Sequence, residues 1–172
     1  AAINLLEYYE VKNVEMPAEI KIQLRTHNFF LQFFSFTIHP RKDSKIDWIE
    51  FRTSMRSLGA SQNPTAYEMF PFEIFEETTA GKIAALSLKL KFSIVEVAAD
   101  DVLENLKGIN PIPVIRSFGL FEHSPYWHLK PYKRYSLEGT RKLAMVIQVP
   151  KEANGFKIFQ NFEAGNSTFV LT

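Results

Sequence analysis

Residues 84–94 read AALSLKLKFSI, and this run constrains the chain more than any other. Ala84, Leu86, Leu88, Leu90, Phe92 and Ile94 are apolar, and Ala85, Ser87, Lys89, Lys91 and Ser93 stand between them. A period of two puts successive side chains on opposite faces of an extended backbone, so the run predicts a β-strand with one buried and one wet face. Burying each large side chain contributes roughly 1.5–3 kcal/mol as an upper bound. At a rise of ~3.3 Å per residue the strand would reach about 33 Å, nearly twice the usual length. After Ile94 the apolar phase passes to Val95 and Val97. Such a slip predicts a β-bulge or sharp bend near Ile94–Val95. Lys89 and Lys91 read as solvated guards of an open sheet face.

The rest of the chain repeats this theme. Ile20, Ile22 and Leu24 alternate with Lys21, Gln23 and Arg25, which predicts a short strand. Residues 29–38 (FFLQFFSFTI) are apolar in both phases, so a strand here must be covered on both faces or adhere to something. Residues 46–55 place Ile49, Phe51, Thr53 and Met55 in one phase, and residues 67–75 do the same with Phe70, Phe72 and Ile74. Pro71 assigns the latter run to an edge or a bulge, because proline cannot donate to a ladder. Lys142–Val149 reads as a strand, Asn154-Gly155 as a hairpin turn, Phe156–Phe162 as its partner, and Thr168–Leu171 as a final strand.

Helical signals are few. Asp101 and Glu104 open a short helix near 101–107 that Gly108 closes. Residues 1–17 read either as an arm or as a helix, since Asn4 and Glu7 have the spacing of a capping box. Residues 109–135 carry Pro111, Pro113, Pro125 and Pro131 and read as a long, proline-stiffened excursion. There is no internal repeat and no linker. The expectation is a single mostly β domain over residues 1–172. It would be an antiparallel sandwich of jelly-roll or Ig-like kind, or a flattened barrel.

Composition excludes several functions. Lys+Arg number 20 and Asp+Glu 19, so the overall field of a strongly basic nucleic-acid binder is missing. Without cysteine there are no disulfides, no thiolate zinc ligands and no cysteine nucleophile. That lack, with no basic leader ahead of an apolar run, leans toward an intracellular chain. The stretch Thr26–Pro40 is free of charged residues but too short and polar for a spanning helix, so no transmembrane segment is expected. No Gly-x-Ser-x-Gly, phosphate-binding Gly loop or His-Glu-x-x-His occurs, and adjacent carboxylates such as Glu76-Glu77 would point to opposite faces of a strand. Glu122, His123 and His128 match no recognised zinc spacing. A hydrolase would need scattered His and Asp/Glu to converge, which the sequence does not show. No enzyme, metal or cofactor is therefore expected.

Two surfaces remain as candidates. The 16 phenylalanines outnumber the 7 glycines, and a Phe-rich core accounts for most of them. Phe29, Leu31 and Phe33 form the second apolar phase of their strand and are the candidate interaction surface. Residues 118–142 interleave aromatic and basic side chains, with Tyr126, Trp127, Lys130, Tyr132, Lys133 and Arg134 as candidate binding residues. Rings that stack and cations that neutralise suit an acidic polymer, a glycan or an anionic membrane surface. The leading expectation is a non-enzymatic β-domain acting by protein–protein contact or self-association, as in a shell, tail, matrix or appendage assembly. The alternative is a ligand-binding module that uses the aromatic-basic segment.

Overall fold

In a computed structural model the chain is a mostly β open sandwich of two antiparallel sheets with short N-terminal helices. The structure describes residues 2–39, 46–71, 73–74, 114–131 and 137–165. The expected strand 84–94, its bulge, the helix near 101–107 and the strand Thr168–Leu171 lie outside the described residues.

The strands are β1 (Ile3–Asn4), β2 (His27–Ile38), β3 (Trp48–Leu58), β4 (Thr65–Phe70), β5 (Glu73–Ile74), β6 (Val114–Phe118), β7 (Tyr126–Lys130), β8 (Gly139–Pro150) and β9 (Gly155–Gly165). Among the described residues one sheet runs β1-β2-β8-β4 and the other β5-β6-β7-β3-β9. The sheets do not close into a barrel. β2 and β8 pair along their whole length, from His27 opposite Pro150 to Ile38 opposite Gly139.

The four-stranded sheet is covered on both faces, which explains the apolar runs that refuse to alternate. Phe34 and Ile38 of β2, with Leu143, Met145, Ile147 and Val149 of β8, face the five-stranded sheet. There they meet Ile49, Phe51, Met55, Ile115, Trp127 and Leu129. The opposite phase, Phe29, Leu31, Ala144 and Val146, packs under the N-terminal segment. The Phe29 ring meets Tyr67 edge-on at 5.0 Å. β4 shifts register between Ala66 and Glu68, and this bulge lets Tyr67 and Phe70 both join the helix-side cluster. Among the described residues β4 is an edge of its sheet, and Pro71 follows its last residue, where no ladder donor is needed.

The covering helices are α1 (Leu5–Lys12) and α2 (Ala18–Gln23). Asn4 caps α1 by accepting hydrogen bonds from the amides of Leu6 and Glu7 at 3.1 and 3.3 Å, and Asn13 ends it in a left-handed conformation. Leu5 and Tyr9, one turn apart, are buried. α2 replaces the strand expected at 20–24. Pro17 starts it, Ile20 is fully buried, Ile22 is 66 % exposed, and the Leu24 amide bonds back to Ile20. Ile20 and Leu24 share a helix face, a spacing that two-residue alternation also contains. Gln23 fastens this layer by donating to the Tyr67 hydroxyl and accepting from Gln148.

Two further expectations are corrected. The excursion at 109–135 contains a regular hairpin: β6 and β7 pair from Val114–Lys130 to Phe118–Tyr126. The prolines Pro125 and Pro131 bracket β7 rather than disrupt it. Asn154-Gly155 does turn the chain, but β8 and β9 enter different sheets and do not form a hairpin. The turn bonds instead to the turn before β2 and to the end of β3, with the Lys151 amide on the Thr26 carbonyl and the Asn154 amide on the Leu58 carbonyl. Gly59 makes room for this crossing. It has φ +77°, and a Cβ there would meet Asn154 Nδ2 at 2.5 Å.

Candidate functional site

The aromatic-basic residues do not form one platform. β7 sends Trp127 and Leu129 inward and Tyr126, His128 and Lys130 outward. Trp127 is 0 % exposed, its indole Nε1 donates to the Pro71 carbonyl at 2.9 Å, and its ring lies against Phe34 and Phe51. It is a core residue, which corrects its reading as a binding residue. Tyr126 is half-buried and Lys130 is exposed. Tyr132, Lys133 and Arg134 lie outside the described residues.

Register builds two rows across the outer face of the five-stranded sheet. One runs Phe118, Tyr126, Arg52, Asn161, and the other Arg116, His128, Glu50, Glu163. In the first row the Phe118 and Tyr126 rings stack at 4.8 Å, and the Arg52 guanidinium sits 4.0 Å above Tyr126. In the second, Glu50 is the hub. Its side chain is 14 % exposed; it accepts from Arg52 at 2.7 Å, and His128 Nδ1 lies 2.7 Å from its other oxygen. Trp48 stacks on His128 at 5.6 Å. Burial opposes ionisation of Glu50, but the hydrogen bonds from His128 and Arg52, with their charges, outweigh it and hold the carboxyl below its ordinary value of 4.5. The Glu50 hydrogen bond likewise raises Arg52. These charges are paired with one another, so the rows organise the sheet face rather than present free groups to a reactant.

The sequence reading used only the buried phase of β3 and passed over Trp48, Glu50 and Arg52. Their signal was the wet phase itself: an acid and a base two residues apart point to the same side of a strand. Among the described residues no group of three His, Asp or Glu side chains is placed to hold a metal ion. Glu122 and His123 sit exposed in the turn before β7, whereas His128 is half-buried and engaged by Glu50.

The open side of the sandwich is different. β9 is the edge of its sheet, bonded only to β3 among the described residues. Its outer phase carries Lys157, Phe159, Asn161 and Glu163, and its inner phase Phe156, Ile158, Gln160, Phe162 and Ala164. Phe159 and Phe162 are 54 % and 51 % exposed. The inner phase borders a groove of about 550 Å³ between the sheets, lined by Ala2, Phe30, Gln32, Phe156, Ile158 and Gln160. Phe30 meets Phe156 at 5.2 Å and Phe36 meets Phe162 at 5.1 Å, so β9 packs on β2 of the other sheet at both ends of its inner phase.

The other expected surface is occupied. Phe29 and Leu31 are buried and Phe33 is half-buried against the same cluster, beneath the chain's own Leu5, Tyr9, Met16 and Ile20. The second apolar phase of β2 is thus satisfied within one chain, where the sequence reading had it facing a partner. Among the described residues no helix is long and apolar enough to cross a membrane. No family model matches the chain, and no curated protein and no solved structure matches it.

Proposed function

We propose that this protein is a non-enzymatic β-sandwich domain that works by protein–protein contact, as a subunit of a larger assembly, through the open side bounded by β9. The observation that carries the reading is the edge strand itself. It runs unbroken from Gly155 to Gly165, contains no proline and no bulge, exposes Phe159 on its outer face and Phe162 on its inner face, and borders a groove of mixed polar and apolar lining. Natural sheets usually blunt such edges, and an unblunted one is a template for an added strand.

The ligand-binding alternative has less support on the described surface. It keeps Tyr126 and Lys130 there and loses the Trp127 ring to the core, while Arg52 is already engaged by Glu50. A photoreactive phenylalanine analogue at position 159 tests the leading reading. Illumination in the cells that make the protein should give adducts to protein. Adducts to glycan or lipid alone, or retention on heparin and anionic vesicles that Lys130→Ala abolishes, would overturn it.

A further inference from the structure

The β9 sequence, GFKIFQNFEAG, has mirror-related features about its middle residue, Gln160. We infer that the occupant of this edge is a second copy of the same chain, its β9 paired antiparallel about a two-fold axis through Gln160. The inference rests on the protein-contact reading and names its partner.

Hydrogen-bond direction comes first. The amides of Thr53 and Met55 bond to the carbonyls of Pro125 and His123, so odd-numbered residues of β3 direct their backbone groups toward β7 and even-numbered ones toward β9. Through the register of Arg52 with Asn161, odd-numbered residues of β9 bond to β3. The N–H and C=O groups of Phe156, Ile158, Gln160, Phe162 and Ala164 therefore point away from β3, and among the described residues no strand pairs with them.

Register comes next. Pairing about Gln160 sets Gly155 opposite Gly165, Phe156 opposite Ala164, Lys157 opposite Glu163, Ile158 opposite Phe162, and Phe159 opposite Asn161. The outward-bonding residues then form the hydrogen-bonded pairs. Lys157 and Glu163 fall in a non-hydrogen-bonded pair, where side chains approach most closely. Symmetry makes that ion pair twice, and Glu163 also lies 3.5 Å from Arg52 of its own chain, which extends the charge row across the junction. On the inner face Ile158 covers the exposed Phe162. On the outer face Phe159 lies diagonal to its counterpart.

Other registers lose this match. A slip of two residues sets Lys157 against Asn161 or Gly165, and an odd slip turns inner-phase side chains to the outer face. Within one chain Lys157 and Glu163 are six residues apart, about 20 Å along a strand, too far to pair with each other.

Sedimentation velocity on the full chain, with thermal melts as a folding control, tests the proposal. Wild type should dimerise. Lys157→Glu alone and Glu163→Lys alone should each weaken the dimer about tenfold or more, by setting like charges opposite each other in both symmetry-related pairs. An equimolar mixture of the two variants should recover wild-type association, because each then meets its opposite charge in trans. A chain without cysteine allows a second measurement that does not depend on charge. Oxidising a mixture of Phe159→Cys and Asn161→Cys should form a disulfide heterodimer, since opposed residues in such a pair lie about 4.5 Å apart at Cα, within disulfide reach. Lys157→Cys alone should not link to itself. A folded monomer at every soluble concentration, a dimer indifferent to both charge reversals, or no linkage between positions 159 and 161 would overturn the second-copy proposal. If the chain is monomeric but position 159 photo-crosslinks to a different protein, this inference fails and the protein-contact reading stands; if neither occurs, both fail.

Discussion

At the scale of single residues, burial separates side chains that the sequence groups together. Tyr126 and Trp127 are neighbours in an aromatic-basic run, yet one crosses the outer sheet face and the other fills the core between the sheets. Trp127→Phe removes the indole donor, leaves the Pro71 carbonyl without that partner and opens space beside Phe34 and Phe51. It should cost about 1–3 kcal/mol in urea unfolding, and Trp127→Ala about 3–5 kcal/mol. A surface binding residue would cost almost nothing. Trp127 shares its phase with Leu129, so its burial was legible once the run was read as a strand; the flanking prolines and the histidines hid the strand. Glu50 gives a pH signature. Its carboxyl is held below 4.5 in the folded chain, so its contribution is present above the unfolded value and is lost as pH falls through the folded value. Glu50→Gln should therefore narrow the stability gap to wild type as pH drops from 6 through 4.5 and below. A gap that stays constant over that range would refute the assignment.

At the scale of elements, the strands that contact one partner sheet on one face were legible, and those set by topology were not. β3 shows its buried phase plainly because its outer face meets water. β8 shows no phase because helices cover one side and a sheet the other, so its apolar run fixes its burial but not its neighbours. The same run explains why the second apolar phase of β2 invited a partner in the reading: nothing local reveals that residues 3–24 fold back over it. α2 was misread because Ile20 and Leu24 fit both the helical period and two-residue alternation, and Ile22, 66 % exposed, fits only the latter. The cap on α1 was legible and is testable. Asn4→Ala removes the acceptor for the Leu6 and Glu7 amides and should cost about 1 kcal/mol, measured as a lower urea midpoint with unchanged slope. Asn4→Asp should retain most of that stability.

At the scale of the whole molecule, two apolar surfaces have opposite fates. The helix-side face of the four-stranded sheet is closed by the chain's own N-terminal segment, while the β9 side is open among the described residues. Only topology makes this distinction. The Lys157–Glu163 symmetry stands in the sequence, but that β9 is an edge among the described residues follows from the arrangement of both sheets. Association through the two surfaces should differ in kind. Leu5→Ala with Ile20→Ala removes two buried anchors of the helical layer, each worth about 2–5 kcal/mol. That pair should loosen the layer from Phe29, Leu31, Tyr67 and Phe70 and expose a broad apolar face, read as increased binding of a hydrophobic dye. Aggregation from that face is driven by area and is non-directional, so adding Lys157→Glu to the pair should not suppress it. Edge pairing is directional and register-bound, so the same charge reversal should weaken it in the otherwise wild-type chain. If Lys157→Glu suppressed both forms of association equally, the two surfaces would not be independent, and the separation of a sealed face from an open edge would be wrong.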